Sequence, residues 1–419
     1  MRIIKVTNPD SFARQKEPIS DLKQVRAILE KVRQQGDTAL REFESKFNKV
    51  SLSSLRVSKS EIADAYKNVT EDQLDAIKMA RKNLARVEST LKQHLKKIQM
   101  ASGGTKIAKS FVPLGRVGCY VPGGLARYPS SAVMSIVPAK IAGVGQVIVA
   151  TPPNRQGKID PLVLVASDLC GADMIFKVSG AHAIAALAYG TESIPQVDKI
   201  VGPGGAFVTA AKHLVSERVS IDMLAGPTEL GIIADDLADP EIVAADLISQ
   251  SEHSSDTVCF LLTTSKKLAD RVKQSIKKQA PTARRGKIVM QSLEQNGFIA
   301  LCKSQSDMIN LANRLAPEHL QIMTKNPKKI SDKISTAGLV LVGNHTPSAA
   351  SDYLFGTNHI LPTNRLGRSR GSLSVLDFVK VQTTVESSRQ ALRKIEKHLR
   401  TLAESEDLPN HYEAVRKRL

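Results

Sequence analysis

Short apolar runs alternate with helical stretches between residues 117 and 215, and this alternation constrains the fold more than any other feature of the chain. The apolar runs have the length of strands, and the stretches between them carry apolar residues at helical spacing. The predicted strands are residues 117–121, 146–150, 174–178 and 199–201, and the predicted helices are residues 130–142, 159–169, 181–188 and 206–215. This order predicts a parallel sheet that is covered by helices on its faces.

A second alternation of strands and helices extends from Ile232 to about Val379. Its predicted strands lie near residues 258–262, 298–301 and 339–342. Helices are expected at both ends of the chain, over residues 20–35, 37–47, from Ser60 onward, and from Val385 onward. We therefore expect an α/β protein with two α/β domains and small helical extensions at the N and C termini.

The chain has a formal net charge of +18, which raises the question of nucleic-acid binding. Between residues 81 and 110, eight Lys or Arg and one acid interleave with apolar residues spaced by three and four, which predicts a helix with a basic solvent face. Residues 102–106 predict a flexible break before the first strand. The chain has no Trp and only 4% aromatic residues, so it offers few stacking platforms for single strands. A basic surface that attracts anionic cofactors is the favoured interpretation.

The sequence shows no run of the ~18 apolar residues that a membrane span needs, and Met1 leads into no apolar signal region. We therefore expect a cytoplasmic protein without a membrane partner. Its four cysteines are widely spaced in apolar stretches, which favours buried free thiols over disulfides or metal ligands.

Polar residues suited to a metal-assisted acid/base site occur in three strings and one late histidine: Gln250 with His253, Glu318 with His319, Asp352 with His359, and His411. Gln250 and His253 follow an apolar helical stretch, and their spacing of three places both on one face. Glu318 and His319 follow Pro317 and are expected in a loop, where a carboxyl beside an imidazole can move protons. Taken alone, Gln250 with His253 is better explained as a solvated helix end and Asp352 with His359 as a loop, while a surface dipeptide explains Glu318 with His319 equally well.

Glycine and proline joints at residues 122–124 and 202–205 fall where predicted strands end and helices begin. Such joints in an open α/β sheet often bind ligands. The sequence contains no clean Gly-x-Gly-x-x-Gly motif, so the sheet alone does not establish a dinucleotide site, and tight turns explain the joints equally well.

Together these strings resemble the histidinol dehydrogenase family, from about residue 20 to the end of the chain. The resemblance rests on residues 120–124 (YVPGG), 183–190 (AIAALAYG), 225–229 (AGPTE), 250–253 (QSEH), 316–320 (APEHL) and 357–363 (TNHILPT). It implies two incomplete Rossmann-like domains: residues 15–119 plus 229–373 as the larger domain with most of the zinc site, and residues 120–228 as the cofactor domain. Residues 1–14 would form an N-terminal extension, and residues 374–419 a helical segment that crosses to the partner subunit.

The resemblance further implies a zinc enzyme that oxidises L-histidinol to L-histidine through L-histidinal in two NAD-dependent steps, the last steps of histidine biosynthesis. Zinc would be held by Gln250, His253, Asp352 and His411, and these residues would also contact substrate. His319 would remove the hydroxyl proton and Glu318 would activate water, both in contact with substrate. Further substrate contacts would come from Thr228, which stands where the family usually has Ser, and from His359 and Glu406. A homodimer would be needed, because Glu406 and His411 would complete the partner's site.

The chain departs from the family pattern at two positions that would contact NAD. His182 stands where the family has Gln, and Gly205 stands where it has Asn, while Tyr120 keeps the third position. Losing hydrogen bonds of ~1 kcal/mol each would weaken cofactor binding several-fold per bond. Two alternatives therefore stay open: a related zinc and NAD dehydrogenase acting on a different alcohol, and a catalytically impaired relative that binds metal or nucleic acid.

Overall fold

A computed structural model describes residues 1–6, 21–123 and 127–419 of the chain. Its strands are β1 (Arg2–Lys5), β2 (Ile98–Ser102), β3 (Thr105–Pro113), β4 (Arg116–Tyr120), β5 (Gln146–Thr151), β6 (Met174–Lys177), β7 (Lys199–Val201), β8 (Ser220–Ile221), β9 (Glu229–Ala234), β10 (Val258–Thr263), β11 (Phe298–Leu301), β12 (His319–Met323), β13 (Leu339–Val342) and β14 (Val379–Ser387). Its α-helices are α1 (Leu22–Phe43), α2 (Lys59–Lys67), α3 (Glu71–Gln93), α4 (Pro129–Ala142), α5 (Pro161–Leu169), α6 (Gly180–Tyr189), α7 (Ala206–Val215), α8 (Pro240–Ser251), α9 (Lys266–Gln279), α10 (Gly286–Gln295), α11 (Gln305–Leu315), α12 (Pro327–Ser331), α13 (Ser348–Tyr353), α14 (Arg389–Ser405) and α15 (Pro409–Arg416).

The alternation between residues 117 and 215 forms a five-stranded parallel sheet in the order β6-β5-β4-β7-β8. The four strands and four helices predicted there are confirmed, with boundaries that differ by at most two residues. The helix expected from residue 159 begins at Pro161, because the Asp160 side chain accepts a hydrogen bond from the Leu162 backbone N–H at 3.0 Å and caps the helix. An α/β fold is thereby confirmed.

The second alternation forms a six-stranded parallel sheet in the order β1-β11-β10-β9-β12-β13. Strand β12 lies between β9 and β13 and is buried along its whole length. The expectation that Glu318 and His319 lie in a loop is therefore wrong for His319, which is the first residue of β12. The strand was missed because His319 and Gln321 interrupt its apolar run, although both side chains are buried.

A three-stranded antiparallel sheet, in the order β14-β3-β2, pairs residues 98–113 with the late strand β14. It corrects two predictions: the basic helix ends at Gln93, so Ile98, the last apolar residue of its predicted pattern, instead begins β2, and the C-terminal helix begins at Arg389 rather than Val385. The break expected at residues 102–106 contains the turn between β2 and β3, where Gly103 and Gly104 have positive φ. These strands were missed because β2 and most of β14 are exposed and therefore lack a buried apolar face.

The two predicted N-terminal helices are one helix, α1, with a kink at Gly36, where φ is 50° and ψ is −130°. A Cβ at Gly36 would lie 2.3 Å from the Glu192 Oε2 atom, so the position requires glycine. The start expected at residue 20 and most of the expected N-terminal extension lie outside the described residues. Helix α2 begins as predicted, because Ser58 and Glu61 form a reciprocal capping box.

Helices α1, α2 and α3 pack against the helices of the five-stranded sheet, with α1 on α6 and α7, and α3 on α4. Strand β4 also belongs to that sheet. The expected domain boundaries, which group residues 15–119 with residues 229–373, stay a prediction.

The four cysteines are buried and free, as predicted. None of the helices in the described residues is long and apolar enough to cross a membrane.

Candidate active site

Two adjacent residues of the predicted site, Glu318 and His319, lie at the amino-terminal end of β12 beside the start of β9. Thr228 precedes β9 directly, so the register of the two strands brings it beside Glu318. The last turn of α8 carries Gln250, whose side chain bonds Thr228 at the same end of the strands. The amino-terminal ends of β9 and β12 therefore bring together residues that are far apart in the sequence.

His319 is buried and bonded through both ring nitrogens. Its Nδ1 lies 3.3 Å from the Glu229 carbonyl oxygen and its Nε2 lies 3.2 Å from Asp352 Oδ1. Both oxygens accept, so the ring donates from both nitrogens when both bonds form. Burial lowers the pKa of His319, but the Glu318 and Asp352 carboxylates outweigh it and raise that pKa to about 9.

Glu318 is buried beside His319, and its Oε2 lies 3.7 Å from His319 Nδ1. The Glu229 backbone N–H donates to Glu318 Oε2 at 2.9 Å, and the Thr228 hydroxyl donates to the same oxygen. Burial raises the pKa of Glu318, and the hydrogen bonds and the His319 charge offset only part of this effect. A carboxyl with a raised pKa is suited to accept a proton from water near neutral pH.

A chain of hydrogen bonds connects Gln250 to Glu318 through Thr228. The Gln250 Nε2 donates to Thr228 Oγ1 at 2.9 Å, and the Thr228 hydroxyl donates in turn to Glu318. The Gln250 Oε1 atom is the one that can serve as a metal ligand, and it accepts a hydrogen bond from the Ser348 hydroxyl at 3.3 Å. Thr228 thereby orients both a predicted metal ligand and the predicted water-activating carboxylate.

Asp352 and His359 connect the residues around His319 to helix α4 of the five-stranded sheet. His359 Nδ1 donates to the Asp352 carbonyl oxygen at 2.8 Å, and its Nε2 lies 3.3 Å from the Ser131 hydroxyl of α4. Burial lowers the pKa of His359, so the ring is neutral at neutral pH. Burial would raise the pKa of Asp352, but the hydrogen bond from His319 and the nearby histidines lower it, so Asp352 is a carboxylate.

The donor atoms present fit the expected zinc ligands. Asp352 supplies a carboxylate, Gln250 an amide oxygen, and His253 an imidazole whose pKa is lowered, chiefly by desolvation. Neutral imidazole and carboxylate are ligands that zinc accepts. In the part of the chain that the structure describes, no three His, Cys, Asp or Glu side chains gather to hold a metal. The expected set of zinc ligands stays a prediction.

Glu406 and His411 are exposed on the C-terminal helices. Within residues 21–123 and 127–419, no hydrogen bond joins either side chain to the residues around Glu318. Helices α14 and α15 pack on each other, and apolar side chains of this segment are exposed, including Val385 and Leu402 at 64% each.

The three predicted cofactor residues lie at or beyond the carboxyl-terminal ends of strands β4, β6 and β7 of the five-stranded sheet. Tyr120 ends β4, and its hydroxyl accepts from the Gly180 N–H at 3.1 Å. Burial raises the pKa of Tyr120 to about 12, so the phenol is neutral. Gly205 precedes α7, and a Cβ built there meets no atom within 4 Å, so the surface beside it is open. The site of the missing family Asn is therefore spacious.

The His182 side chain points into the protein. It is 2% exposed, and its Nε2 lies 2.7 Å from Glu44 Oε1. Glu44 is fully buried and also accepts from the Ser179 backbone N–H at 2.8 Å. The rings of Phe43 and Phe47 lie against the imidazole. The expectation that His182 contacts NAD stays a prediction, and this packing leaves it little accessible surface.

Sequence reasoning missed four contributors to these sites: Glu44, Ser131, Glu229 and Ser348. Glu229 acts through its backbone N–H and carbonyl oxygen, which no side-chain pattern reveals, and its Oε2 accepts from the Glu318 N–H at 3.3 Å. Glu44 lies in a π-helical turn (Glu44–Asn48), a type of bulge that is frequent at functional sites but has no sequence signature.

Comparison with known proteins agrees with the resemblance of the motifs. The sequence profile of the histidinol dehydrogenase family matches residues 13–419. Histidinol dehydrogenase from Clostridium acetobutylicum is 43% identical over 403 residues, covering 96% of this chain and 93% of that protein. The enzyme of the same name from Methanococcus maripaludis is 43% identical over 396 residues, covering 94% and 92%.

The fold agrees with a solved structure over its whole length. The crystal structure of histidinol dehydrogenase from Elizabethkingia anophelis superposes with a TM-score of 0.94 at 35% sequence identity, covering 100% of this chain and 98% of that one. The family match, the identities and the shared fold leave one conclusion: this chain belongs to the histidinol dehydrogenase family.

Proposed function

We propose that the protein is a zinc-dependent, NAD-linked dehydrogenase that oxidises L-histidinol to L-histidine through L-histidinal. The observation that carries this proposal is the buried acid/base pair: Glu318 and His319 lie side by side, each with its own hydrogen-bond partners, in a chain that belongs to the histidinol dehydrogenase family. The relatives are named for the oxidation of histidinol.

Gln250, His253 and Asp352 of one chain, with His411 of the partner subunit's C-terminal segment, would hold the zinc. Bound zinc would supply Lewis-acid polarisation and a fixed attachment point for the substrate's nitrogen atoms. If Asp352 held the zinc, its carboxylate would accept less from His319, and Nε2 of His319 would be free to take a proton.

His319 is proposed as the base of the alcohol oxidation. Its Nδ1 is held by the Glu229 carbonyl oxygen, so Nε2 faces the site and can accept the proton of the substrate hydroxyl while the hydride leaves carbon for NAD. Glu318 is proposed to take a proton from the water that adds to the aldehyde. The hydrate then loses a second hydride to NAD and a second hydroxyl proton, so two NAD are reduced for each histidine formed.

We also propose a cytoplasmic homodimer in which residues 374–419 cross to the partner. The proposal is supported by the exposed apolar side chains of β14 and α14. The carboxylate of Glu406 suits the cationic amine of the substrate, which favours histidinol over other alcohols.

The main test is NADH formation by purified, zinc-loaded protein with histidinol and with a panel of other alcohols. Preference for histidinol supports the proposal, preference for another alcohol assigns the protein that substrate, and no reduction of NAD refutes the dehydrogenase function.

Exchange of the C-terminal segment is tested by coexpressing His411→Ala and Glu318→Gln chains and measuring the histidine formed from histidinol, a complete reaction that neither chain alone should carry out. A heterodimer with exchanged segments has one site with both residues intact. Since half of the dimers formed at random are heterodimers, about a quarter of the wild-type activity should return. Recovery of no activity in a sample that contains heterodimers would contradict the exchange.

A further inference from the structure

A buried ion pair that the proposed reaction does not use lies beside the open end of β7. Lys212 of α7 is 2% exposed and Asp222, which follows β8, is 4% exposed. The Lys212 ammonium donates to the Asp222 carboxylate. Replacing a buried ion pair with apolar residues is often neutral or stabilising, so stability alone does not explain why charges occupy these positions.

The pair binds both polar groups of Gly202. The Gly202 N–H donates to Asp222 Oδ2 at 2.8 Å, and Lys212 Nζ donates to the Gly202 carbonyl oxygen at 3.0 Å. Gly202 has a φ of +115°, a conformation that other L residues rarely adopt. A Cβ at Gly202 would lie 2.0 Å from the Tyr120 carbonyl oxygen. The ion pair therefore fixes a strained peptide against the residue that ends β4.

The same pair also touches the segment that leads to the acid/base site. Asp222 Oδ1 accepts from the Met223 N–H at 2.6 Å. The Thr209 hydroxyl of α7 donates to the Ala225 carbonyl oxygen at 3.1 Å, farther along this segment. The segment ends at Thr228, which bonds Glu318. Lys212 and Asp222 thus connect the loop of residues 202–205 to the segment of residues 223–228.

We propose that Lys212 and Asp222 are positioning residues for the cofactor: their ion pair holds the Gly202 peptide against the Tyr120 backbone, so that the loop of residues 202–205 presents its NAD-binding surface at a fixed distance from the acid/base site. The proposal rests on the proposed NAD-linked function. The positioning matters more in this chain because Gly205 offers no side chain, so that position contributes only backbone groups. Their placement is controlled by the clamp, which is the Lys212–Asp222 ion pair with its two hydrogen bonds to Gly202.

The test compares two charge-neutral variants of the clamp with a matched control. Lys212→Met/Asp222→Leu removes both charges together and avoids leaving one buried charge unpaired. Lys212→Asp/Asp222→Lys keeps an ion pair but reverses its donor and acceptor, so Gly202 loses both bonds. The control is Lys199→Met, at the other end of β7, where Lys199 Nζ similarly binds a backbone carbonyl, that of Asp377, at 2.7 Å.

Both clamp variants should raise the KM for NAD roughly tenfold, because two hydrogen bonds that shape the loop are lost, while the KM for histidinol changes less than twofold. The control should leave both constants unchanged. An unchanged KM for NAD in folded clamp variants, or an equal rise in the control, would overturn the proposal.

Hydrogen exchange on the unmodified protein gives an independent measurement, which does not require the variants to fold. Saturation with NAD should slow amide exchange in residues 202–208 and leave the amides near Lys199 unaffected; equal exchange with and without NAD would contradict the proposal. If the unmodified enzyme reduces no NAD with histidinol, the proposed function fails. Calorimetric titration with NAD still tests the clamp in that case.

Discussion

Thr228 offers the sharpest test of how the acid/base site operates. Its hydroxyl donates to Glu318 and accepts from Gln250, so Thr228→Val removes both bonds while keeping the shape of the side chain. Thr228→Ser keeps the hydroxyl and serves as the matched control. Zinc content should be measured for both variants, because Gln250 is a proposed ligand.

The magnitude follows from the charge of Glu318. A hydrogen bond to an ionised group is worth about 1.5–3 kcal/mol, and Glu318 is buried with only the Glu229 N–H and the His319 charge left to stabilise its charged form. Loss of the Thr228 bond therefore raises the pKa of Glu318 further. Hydration of the aldehyde should slow by about tenfold to hundredfold at neutral pH.

The assay supplies the aldehyde directly and follows NADH formation against pH. Glu318 must be ionised to accept a proton, so a higher pKa shifts the rising limb of the rate profile of Thr228→Val toward higher pH. Oxidation of histidinol to the aldehyde, which depends on His319, should change much less. A Thr228→Val enzyme with wild-type zinc content, a rate within twofold of wild type and an unmoved pH profile would refute the reasoning.

Three further predictions concern the charged groups. His319→Asn should suppress alcohol oxidation more than conversion of supplied aldehyde, and Glu318→Gln should suppress conversion of the aldehyde more than alcohol oxidation. NADH formation is measured with each substrate, and equal losses on both substrates would contradict the division of roles. Glu44→Gln should lower the free energy of unfolding by about 1–3 kcal/mol in urea titrations, because Glu44 is fully buried and bonds His182. The control Glu42→Gln, on the exposed face of the helix, should change the free energy of unfolding by less than about 0.5 kcal/mol. Although burial raises the pKa of Asp37, bonds from Ser193 and Thr191 lower it overall. Its stabilisation should therefore be present above about pH 4 and be lost as the pH falls, so the stability difference between Asp37→Asn and wild type should shrink in urea titrations below about pH 4.

The parallel sheets were predictable where strands are continuous apolar runs, as in residues 146–150 and 258–262, because strands buried on both faces need such runs. Strand β12 carries His319 and Gln321 at buried positions and so escaped detection. Strands β2 and β14 were missed for the opposite reason, since exposure leaves no apolar face to recognise.

The site was predictable as a set of residues, and its connections were not. The chemistry of Glu318, His319 and Asp352 is evident from residue type, and the structure brings these three together. Nothing in the sequence shows that Thr228 joins Gln250 to Glu318, because this depends on the register between β9 and β12. The burial of His182 on Glu44 likewise follows from the packing of α1 on α6.

The pairing of β3 with β14 has a consequence for synthesis of the protein on the ribosome. Thr105 and Ser387, which pair at one end of this ladder, are 282 residues apart. Strand β1 must likewise wait for β11. The five-stranded sheet finds all its strand partners within the contiguous residues 116–221, so its strands can pair first as the chain emerges. Until translation is nearly complete, β3 has an open edge, and ribosome-bound chains should be most prone to aggregation at that strand.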